Sequence, residues 1–323
     1  MGTEENRAYM DGYLDSLRTQ RKLSPHTLSG YAHDLAELAT FADALGGNCA
    51  FASMSHFHIR RLASQLHAKG LNPRSIARKL SSWRGFFAWL SGETALSSNP
   101  VDGIKPPKRT KPLPKALSAD DAVQLVSQAH PGKNADSASQ RCNRAMFELL
   151  YSSGLRVSEL VGLDARYCQE TGHVSSGWID FDASEVTVTG KGSKMRSIPV
   201  GQPAMLALAE WLAVRASLLE RSSGKDRFAL FLTERGKRMS PRAVQTRLKA
   251  HAQALGIPAN VHPHVLRHSF ASHVLQSSGD LRAVQEMLGH ASIAATQVYT
   301  SLDFQRLAQV YDAAHPRAKK RRE

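Results

Sequence analysis

The sequence predicts a mainly α-helical protein of two domains, the second of which contains one small antiparallel sheet. Apolar residues recur every three or four positions over most of the chain, which is the period of a helix packed on one side. Three short strand-like segments occur only between residues 177 and 200. Five of the 14 prolines fall between residues 99 and 115 and separate two helical regions. A chain of 323 residues has room for about two domains.

The first domain, residues 1–98, is predicted to be entirely helical. We expect helices over residues 4–19, from Pro25 onward, over residues 56–69 and from Pro73 onward, because proline is well accepted in a first helical turn. The segment from Arg60 to Arg84 has seven basic residues and no acidic one. Arg74 and Arg78 lie four positions apart on one helix face, which could contact nucleic-acid phosphates or could simply be solvated.

Residues 99–115 are predicted to form an extended linker, because proline fixes φ and removes hydrogen-bond donors. The basic residues of this linker are further candidates for contact with a phosphate backbone, the alternative being a solvated linker. These candidates are Lys105, Lys108, Arg109 and Lys111.

Composition narrows the class of partner and excludes several kinds of protein. The formal net charge of +14 indicates a polyanionic partner, nucleic acid before an anionic membrane surface. The three cysteines form no Cys-x-x-Cys pair, so neither a disulfide framework nor a zinc site is predicted. The acidic start does not resemble a signal peptide, and no apolar run reaches the roughly 18 residues of a membrane span. A cytoplasmic protein is therefore expected.

The second domain, residues 116–301, is predicted to be helical around strands at residues 178–181, 185–189 and 195–200. Lys191 lies in the glycine-rich turn between the last two strands. The turn does not match an ATP-binding phosphate loop, because Gly192 follows the lysine. Lys191 could instead reach a DNA groove and donate a proton, or could be a turn lysine that only aids solubility.

Two segments of this domain have the side chains that phosphate chemistry needs. Arg156 follows a helix end at Gly154, where a guanidinium and backbone amides can face one anion. His264 and Arg267 are three residues apart on a helix opened by Pro263. A histidine that moves protons beside an arginine that stabilises charge suits a phosphoryl transition state. Taken alone, each arginine could equally be an ordinary surface residue.

Two more candidates follow near the end of the domain. His290 comes directly after a helix that Asp280 caps and Gly289 ends. Tyr299 stands nine residues later and could act as a nucleophile on an electrophile that cations have activated, or could simply pack. The histidines around residue 264 lack acidic partners and the His-Glu-x-x-His spacing, so no metal site is predicted.

Taken together, these motifs resemble those of the tyrosine site-specific recombinases of the phage integrase family, Xer type. The matching residues are, in chain order, Arg156, Lys191, His264, Arg267, His290 and Tyr299. The resemblance covers nearly the whole chain. It implies an N-terminal helical core-binding domain of the SAM-like type, a linker, and an α+β catalytic domain with a small three-stranded antiparallel sheet. Residues 302–323 would be a partner-docking segment with a basic tail, the alternative being that this segment packs on its own catalytic domain.

The resemblance also implies a role for each matching residue. Tyr299 would attack the scissile phosphate and form a 3′-phosphotyrosyl link, while Lys191 would protonate the leaving 5′-oxygen. Arg156 and Arg267 would hold the nonbridging oxygens. His264 would act as general base and His290 would support the phosphate by a hydrogen bond. Neither a cofactor nor a metal would be required.

The implied function is the resolution of chromosome and plasmid dimers at dif-like DNA sites during cell division, through a Holliday junction. The tail from Leu302 to Arg317 is similar to that of the Xer recombinases that act with a XerD-like partner in a heterotetramer. An FtsK-type DNA translocase is a further implied partner. A XerD-like role, a mobile-element integrase and an inactive DNA-binding architectural protein remain as alternatives, although an integrase usually has an additional arm-binding domain.

Two features depart from the family pattern. The chain is longer than usual between residues 165 and 177, which we interpret as a loop insertion ahead of the sheet. Ser301 stands where a histidine is common, at a position that is not catalytic.

Overall fold

The structure of the chain is a computed structural model. It describes residues 2–23, 25–45, 49–94, 96–107, 116–132, 134–190, 194–220, 224–257, 260–289 and 315–316. The chain forms two compact units, Met1–Pro112 and Leu113–Glu323. Among the described helices, none is long and apolar enough to cross a membrane.

In the described residues of the first unit there are four α-helices, in agreement with the pattern of apolar residues. They are α1 (Gly2–Thr19), α2 (Pro25–Ala44), α3 (His56–Ala68) and α4 (Pro73–Glu93), with a short 3₁₀ helix at Phe51–Ser53 before α3. Helix α4 begins where it does because the side chain of Asn72 accepts a hydrogen bond from the backbone N–H of Arg74 at 2.9 Å.

Helix α4 lies at the centre of this unit and contacts the other three helices. Its residues Trp83, Phe86 and Phe87 are completely buried, and the rings of Phe86 and Phe87 pack against Phe51. The indole N–H of Trp83 donates to the backbone carbonyl of Asp34 at 2.8 Å, so the one polar atom of this ring is satisfied inside the core.

The predicted basic face of α4 is partly neutralised by an acidic residue from α2. Asp34 is completely buried and accepts hydrogen bonds from both terminal nitrogens of Arg78 and from the ammonium of Lys79. Arg78 therefore joins two helices of the core, although half of its side chain is exposed. Arg74 is exposed on the same helix. The sequence pattern alone could not distinguish the two arginines.

The first part of the predicted linker folds onto this unit instead of being extended. Val101 is fully buried and Ile104 nearly so, and Arg84 donates to the backbone carbonyls of both at 3.4 Å. The amide side chain of Asn99 donates to the carbonyl of Arg84 and accepts from the N–H of Val101, both at 3.0 Å. Burial of two apolar side chains and satisfaction of their backbone groups favour this turn over an extended chain.

The second unit combines seven described helices with a three-stranded sheet, as the sequence predicts. The helices are α5 (Ala119–Ser127), α6 (Ala138–Ser153), α7 (Val157–Gly162), α8 (Gln202–Leu219), α9 (Pro241–Ala254), α10 (Pro263–Ser278) and α11 (Leu281–Leu288). The strands β3 (Gly177–Asp180), β4 (Glu185–Thr189) and β5 (Met195–Pro199) pair in the antiparallel order β3-β4-β5. Thr189 pairs with Met195 beside the turn that contains Lys191.

Residues 165–177, which the sequence led us to interpret as a loop insertion, do not form a simple loop. They contain a second, two-stranded sheet of β1 (Gln169–Glu170) and β2 (His173–Val174). Asp164, which is 1% exposed, holds this hairpin by accepting hydrogen bonds from the His173 ring and the Ser175 hydroxyl, both at 2.7 Å. Strands of two residues leave too short an alternation for a sequence pattern to predict them.

Helix α6 forms the centre of the second core, where it packs against α5, α8 and α10. Its Tyr151 hydroxyl hydrogen-bonds to the ring of His273 at 2.9 Å. His315, from the C-terminal segment, is completely buried beside Tyr151, with the ring centroids 4.8 Å apart. Burial, reinforced by the charge of His273, lowers the pKa of His315 to about 3, so this imidazole is neutral at neutral pH. The rest of the proposed docking segment, except Pro316, lies outside the described residues.

The Asp34 interaction predicts unequal effects for the two arginines of α4. Arg78→Ala removes two hydrogen bonds to a buried carboxylate and should lower the free energy of unfolding by about 1–3 kcal/mol. Arg74→Ala, at an exposed position, should change it by less than about 0.5 kcal/mol. Urea unfolding of both variants measures this difference. If the two variants lose the same free energy of unfolding, the hydrogen bonds between Arg78 and Asp34 do not contribute to stability.

Candidate active site

The candidate site is built on the sharp turn between α6 and α7. Gly154 ends α6 in the left-handed conformation, with a φ of 59°. A Cβ atom at this position would lie 2.4 Å from the ring of Phe270, so both the backbone conformation and the space require glycine. The turn brings Arg156 to the position just before α7, as the sequence motif predicts.

Glu159, one turn into α7, orients Arg156. Its carboxylate accepts from the backbone N–H of Arg156 and from a terminal guanidinium nitrogen of the same residue, both at 2.8 Å. This reciprocal arrangement satisfies a backbone donor at the helix start and fixes the arginine side chain. About a third of the Arg156 side chain remains exposed, while Glu159 is 6% exposed.

Two further arginines surround the same carboxylate. Arg196 of β5 donates to Glu159 at 2.9 Å, and a terminal nitrogen of Arg267 lies 4.0 Å from it. The side chains of both arginines are at most 8% exposed. Three guanidinium groups therefore share one carboxylate, and the cluster has a formal charge of +2. We refer to Arg156, Glu159, Arg196 and Arg267 as the arginine cluster.

Arg267 lies at the first turns of α10 and is held by backbone carbonyls. Its terminal nitrogens donate to the carbonyls of Gly154 and Leu288, each at 2.6 Å. Each terminal nitrogen has a second hydrogen, so the fork retains donors for another acceptor. Burial, and secondarily the charge of Arg156, lowers the pKa of Arg267 to about 10. The group still remains a cation at neutral pH.

The electrostatics of the cluster keep Glu159 ionised. Burial of the carboxyl group opposes ionisation, but hydrogen bonding and charge from Arg196, followed by the hydrogen bonds from Arg156, outweigh burial. The pKa of Glu159 therefore lies below its ordinary value. The ionised carboxylate fixes the directions of the guanidinium groups and leaves a positive surplus that suits a phosphodiester anion.

His264 is exposed on the first turn of α10, and its ring centroid lies 6.2 Å from that of His262. It shares a helix with Arg267, as predicted, but Arg267 faces the core and His264 faces outward. Lys191, His290 and Tyr299 lie outside the described residues. Their flanking residues are described: Gly190 closes the hairpin by donating to the carbonyl of Lys194 at 2.8 Å, and Gly289 ends α11 with a φ of 62°.

Of the candidate DNA-contacting residues, Arg74 and Lys105 are exposed, and Arg78 is exposed but bound to Asp34. Lys108, Arg109 and Lys111 lie outside the described residues.

The structure adds two members of the cluster that our reading of the sequence did not assign. Glu159 stands three residues after Arg156, and this spacing is the signal of a helix-capping interaction that could have identified it. Arg196 is 37 residues from Glu159. The sequence signal for Arg196 was an arginine inside a predicted strand, and such a position does not identify the residue that the arginine will contact.

The sequence matches the phage integrase family over residues 115–306, and the phage integrase N-terminal SAM-like domain over residues 10–94. The chain belongs to the phage integrase family, and its class is that of the tyrosine recombinases, enzymes that recombine DNA at specific sites. The resemblance inferred from the six motif residues is thus confirmed at the level of the family.

Named relatives and solved structures agree with this assignment. The chain is 56% identical to tyrosine recombinase XerC 1 of Ralstonia nicotianae over 311 residues, which cover 96% of this chain and 93% of the relative. It is 54% identical to tyrosine recombinase XerC of Ralstonia pickettii over 322 residues, 99% of this chain and 97% of the relative. The fold is similar to that of the XerH site-specific recombinase bound to a palindromic difH substrate. That comparison has a TM-score of 0.64, an identity of 20%, and coverage of 90% of this chain and 81% of that one.

The arginine cluster predicts a pH-dependent contribution of Glu159 to stability. Because its pKa is lowered on folding, this contribution is complete above the ordinary glutamate pKa of about 4.3 and is lost as the pH falls through the lower folded value. Glu159→Gln should lower the free energy of unfolding by about 1.5–3 kcal/mol at pH 7 and by progressively less below pH 4.

Unfolding in urea between pH 3 and pH 7 measures this difference. Glu210→Gln is the matched control, since Glu210 forms an exposed pair with Arg144 and should contribute less than about 1 kcal/mol. A Glu159→Gln effect that is independent of pH would contradict the ionised state of Glu159.

Proposed function

We propose that this chain cuts and rejoins DNA at a dif-like site through a covalent bond between DNA and Tyr299. The observation that supports this most strongly is the arginine cluster. It offers fixed guanidinium donors and a surplus of positive charge at a turn where Arg156 remains partly exposed. Such preorganised cations stabilise the charge that develops on a phosphoryl group during transfer.

In the proposed reaction, the Tyr299 oxygen attacks the phosphorus and the bond to the 5′-oxygen breaks. The tyrosine proton passes to His264, and Lys191 gives a proton to the leaving 5′-oxygen. Arg156 and Arg267 bind the two nonbridging oxygens, and His290 donates a hydrogen bond to the phosphate. A 5′-hydroxyl from a second strand then attacks the phosphotyrosine, which restores the phosphodiester and frees the tyrosine. The number of phosphodiester bonds is conserved, so the chemistry consumes no nucleotide cofactor.

The biological role that we propose is the resolution of chromosome and plasmid dimers in the cytoplasm during cell division. It rests on the 54–56% identity to proteins named XerC and on the motif order in the sequence. The partners in this proposal are double-stranded DNA, a XerD-like recombinase in a heterotetramer, and an FtsK-type translocase. Residues 302–323 would dock on the recombinase, with the exception of His315, which is buried beside Tyr151 of its own chain. Mobility-shift titrations on DNA with two paired half-sites, with and without the XerD-like protein, test this partner. If the proposal is right, the two proteins bind the paired half-sites cooperatively.

We further propose a division of the chain into a core-binding clamp (1–98), a linker (99–115), a catalytic domain (116–301) and the docking segment. Within the clamp and linker, exposed Arg74 and Lys105 are the described residues best suited to contact phosphates. Arg78 would assist mainly by supporting the helix that carries Arg74, because its guanidinium already binds Asp34.

Cleavage of a nicked suicide duplex that carries the dif-like site tests the nucleophile. The wild-type chain, with its partner, should form a covalent protein–DNA adduct on a denaturing gel. Tyr299→Phe keeps the ring but lacks the attacking oxygen, so it should bind DNA and form no adduct. Arg156→Ala should bind DNA and form the adduct roughly 10²–10³-fold more slowly. An adduct with the Tyr299→Phe variant would exclude Tyr299 as the nucleophile.

The salt dependence of DNA affinity tests whether Arg74 of the core-binding clamp contacts a DNA phosphate. Arg74→Ala should weaken binding and reduce the slope of log affinity against log salt by about one unit, because one phosphate contact is lost. Arg18→Ala is the control, since Arg18 is an exposed arginine of α1 beside Asp15 and outside the basic segment. An unchanged slope with Arg74→Ala would indicate that this face is merely solvated.

A further inference from the structure

Arg196 contacts the surroundings of several proposed catalytic residues, although it matches no position of the catalytic motif. One terminal nitrogen of its guanidinium donates to Glu159, which in turn holds Arg156. Its Nε donates to the backbone carbonyl of Met287 at 3.0 Å, in the last turn of α11. One planar side chain thus connects β5, the start of α7 and the end of α11.

Two glycines make room for this guanidinium, and each directly precedes a proposed catalytic residue. A Cβ atom on Gly289, the residue before His290, would lie 3.1 Å from a terminal nitrogen of Arg196. A Cβ atom on Gly190, the residue before Lys191, would lie 3.3 Å from the same nitrogen. The backbone next to both catalytic residues therefore packs closely against Arg196.

We infer that Arg196 is a positioning residue for DNA cleavage: it holds the Glu159 carboxylate in the orientation that aims Arg156 at the scissile phosphate. The inference rests on the proposed function. Arg196 is 5% exposed, and its Nε and one terminal nitrogen are bonded to Met287 and Glu159, so the described hydrogen bonds of this guanidinium go to the groups that surround Arg156 and precede His290. A lysine at this position would keep the charge, but its single nitrogen could not reproduce the forked pair of bonds to a carboxylate and a carbonyl.

A single-turnover cleavage experiment gives an amplitude and a rate constant, and together they show whether Arg196 positions Arg156 or only stabilises the fold. At saturating DNA, loss of folded protein lowers the amplitude of adduct formation, whereas a misplaced Arg156 lowers its rate constant. Arg196→Lys should reduce the rate constant by roughly 10²-fold, as expected for a small misplacement of a catalytic group. Its amplitude should fall only as far as the protein unfolds, as in the control below, and the affinity of the folded fraction for DNA should remain close to that of the wild type.

Arg215→Lys is the matched control. Arg215 is a buried arginine of α8 that donates to the backbone carbonyls of Ala229 and Arg227 and has no described contact with the arginine cluster. This variant should lose thermal stability and amplitude while it keeps the wild-type rate constant.

Two further variants complete the test. Gly190→Ala places a methyl group against the guanidinium at a backbone conformation that alanine accepts, so it should slow cleavage even if Arg196→Lys does not fold. Arg156→Lys combined with Arg196→Lys should be little slower than the slower single variant, because both changes act through the same guanidinium.

A wild-type rate constant for both Arg196→Lys and Gly190→Ala, or independent losses that multiply in the double variant, would overturn the inference and leave the proposed function intact. A wild-type chain that forms no adduct at all would overturn both.

Discussion

The structure of the site depends on one buried carboxylate. Without Glu159, three guanidinium groups would converge from a helix start, a strand and a second helix with no anion to offset their repulsion. Burying a carboxylate is unfavourable by itself, and removing one partner from a buried ionic cluster destabilises a protein because it leaves a buried charge uncompensated. Glu159 and the arginines therefore require one another, and the elements that carry them are fixed together.

This mutual requirement explains how a mainly helical fold prepares a binding site for an anion. The left-handed turn at Gly154 brings Arg156 beside Glu159, and the Gly154 carbonyl itself accepts a hydrogen bond from Arg267. Arg267 and Arg196 also bind the carbonyls of Leu288 and Met287, at the end of the helix that precedes His290. Backbone groups that a helix end leaves without partners thus orient the cations, so little reorganisation is needed when a phosphate arrives.

The sequence was sufficient to predict the class of fold, because helical periodicity, proline positions and helix caps are local signals. Asp280, for example, caps α11 as predicted, because its carboxylate accepts a hydrogen bond from the backbone N–H of Ala283. The sequence was much less informative about the side-chain contacts that determine what each residue does. Arg78 and its partner Asp34 are 44 residues apart in the sequence, and Arg196 and Glu159 are 37 apart. Both pairs therefore depend on tertiary packing that no local sequence pattern encodes. Arg156 and Arg267 both lie beside Glu159, whereas His264 is exposed on the outer side of its helix.

A structure of the Tyr299→Phe variant bound to an uncleaved DNA site would test the central claim most directly. The scissile phosphate should lie within hydrogen-bond distance of Arg156 and Arg267. Arg196 should keep its bonds to Glu159 and to the carbonyl of Met287. A phosphate bound away from these two arginines, or an Arg196 that leaves Glu159 to bind the phosphate itself, would contradict the account.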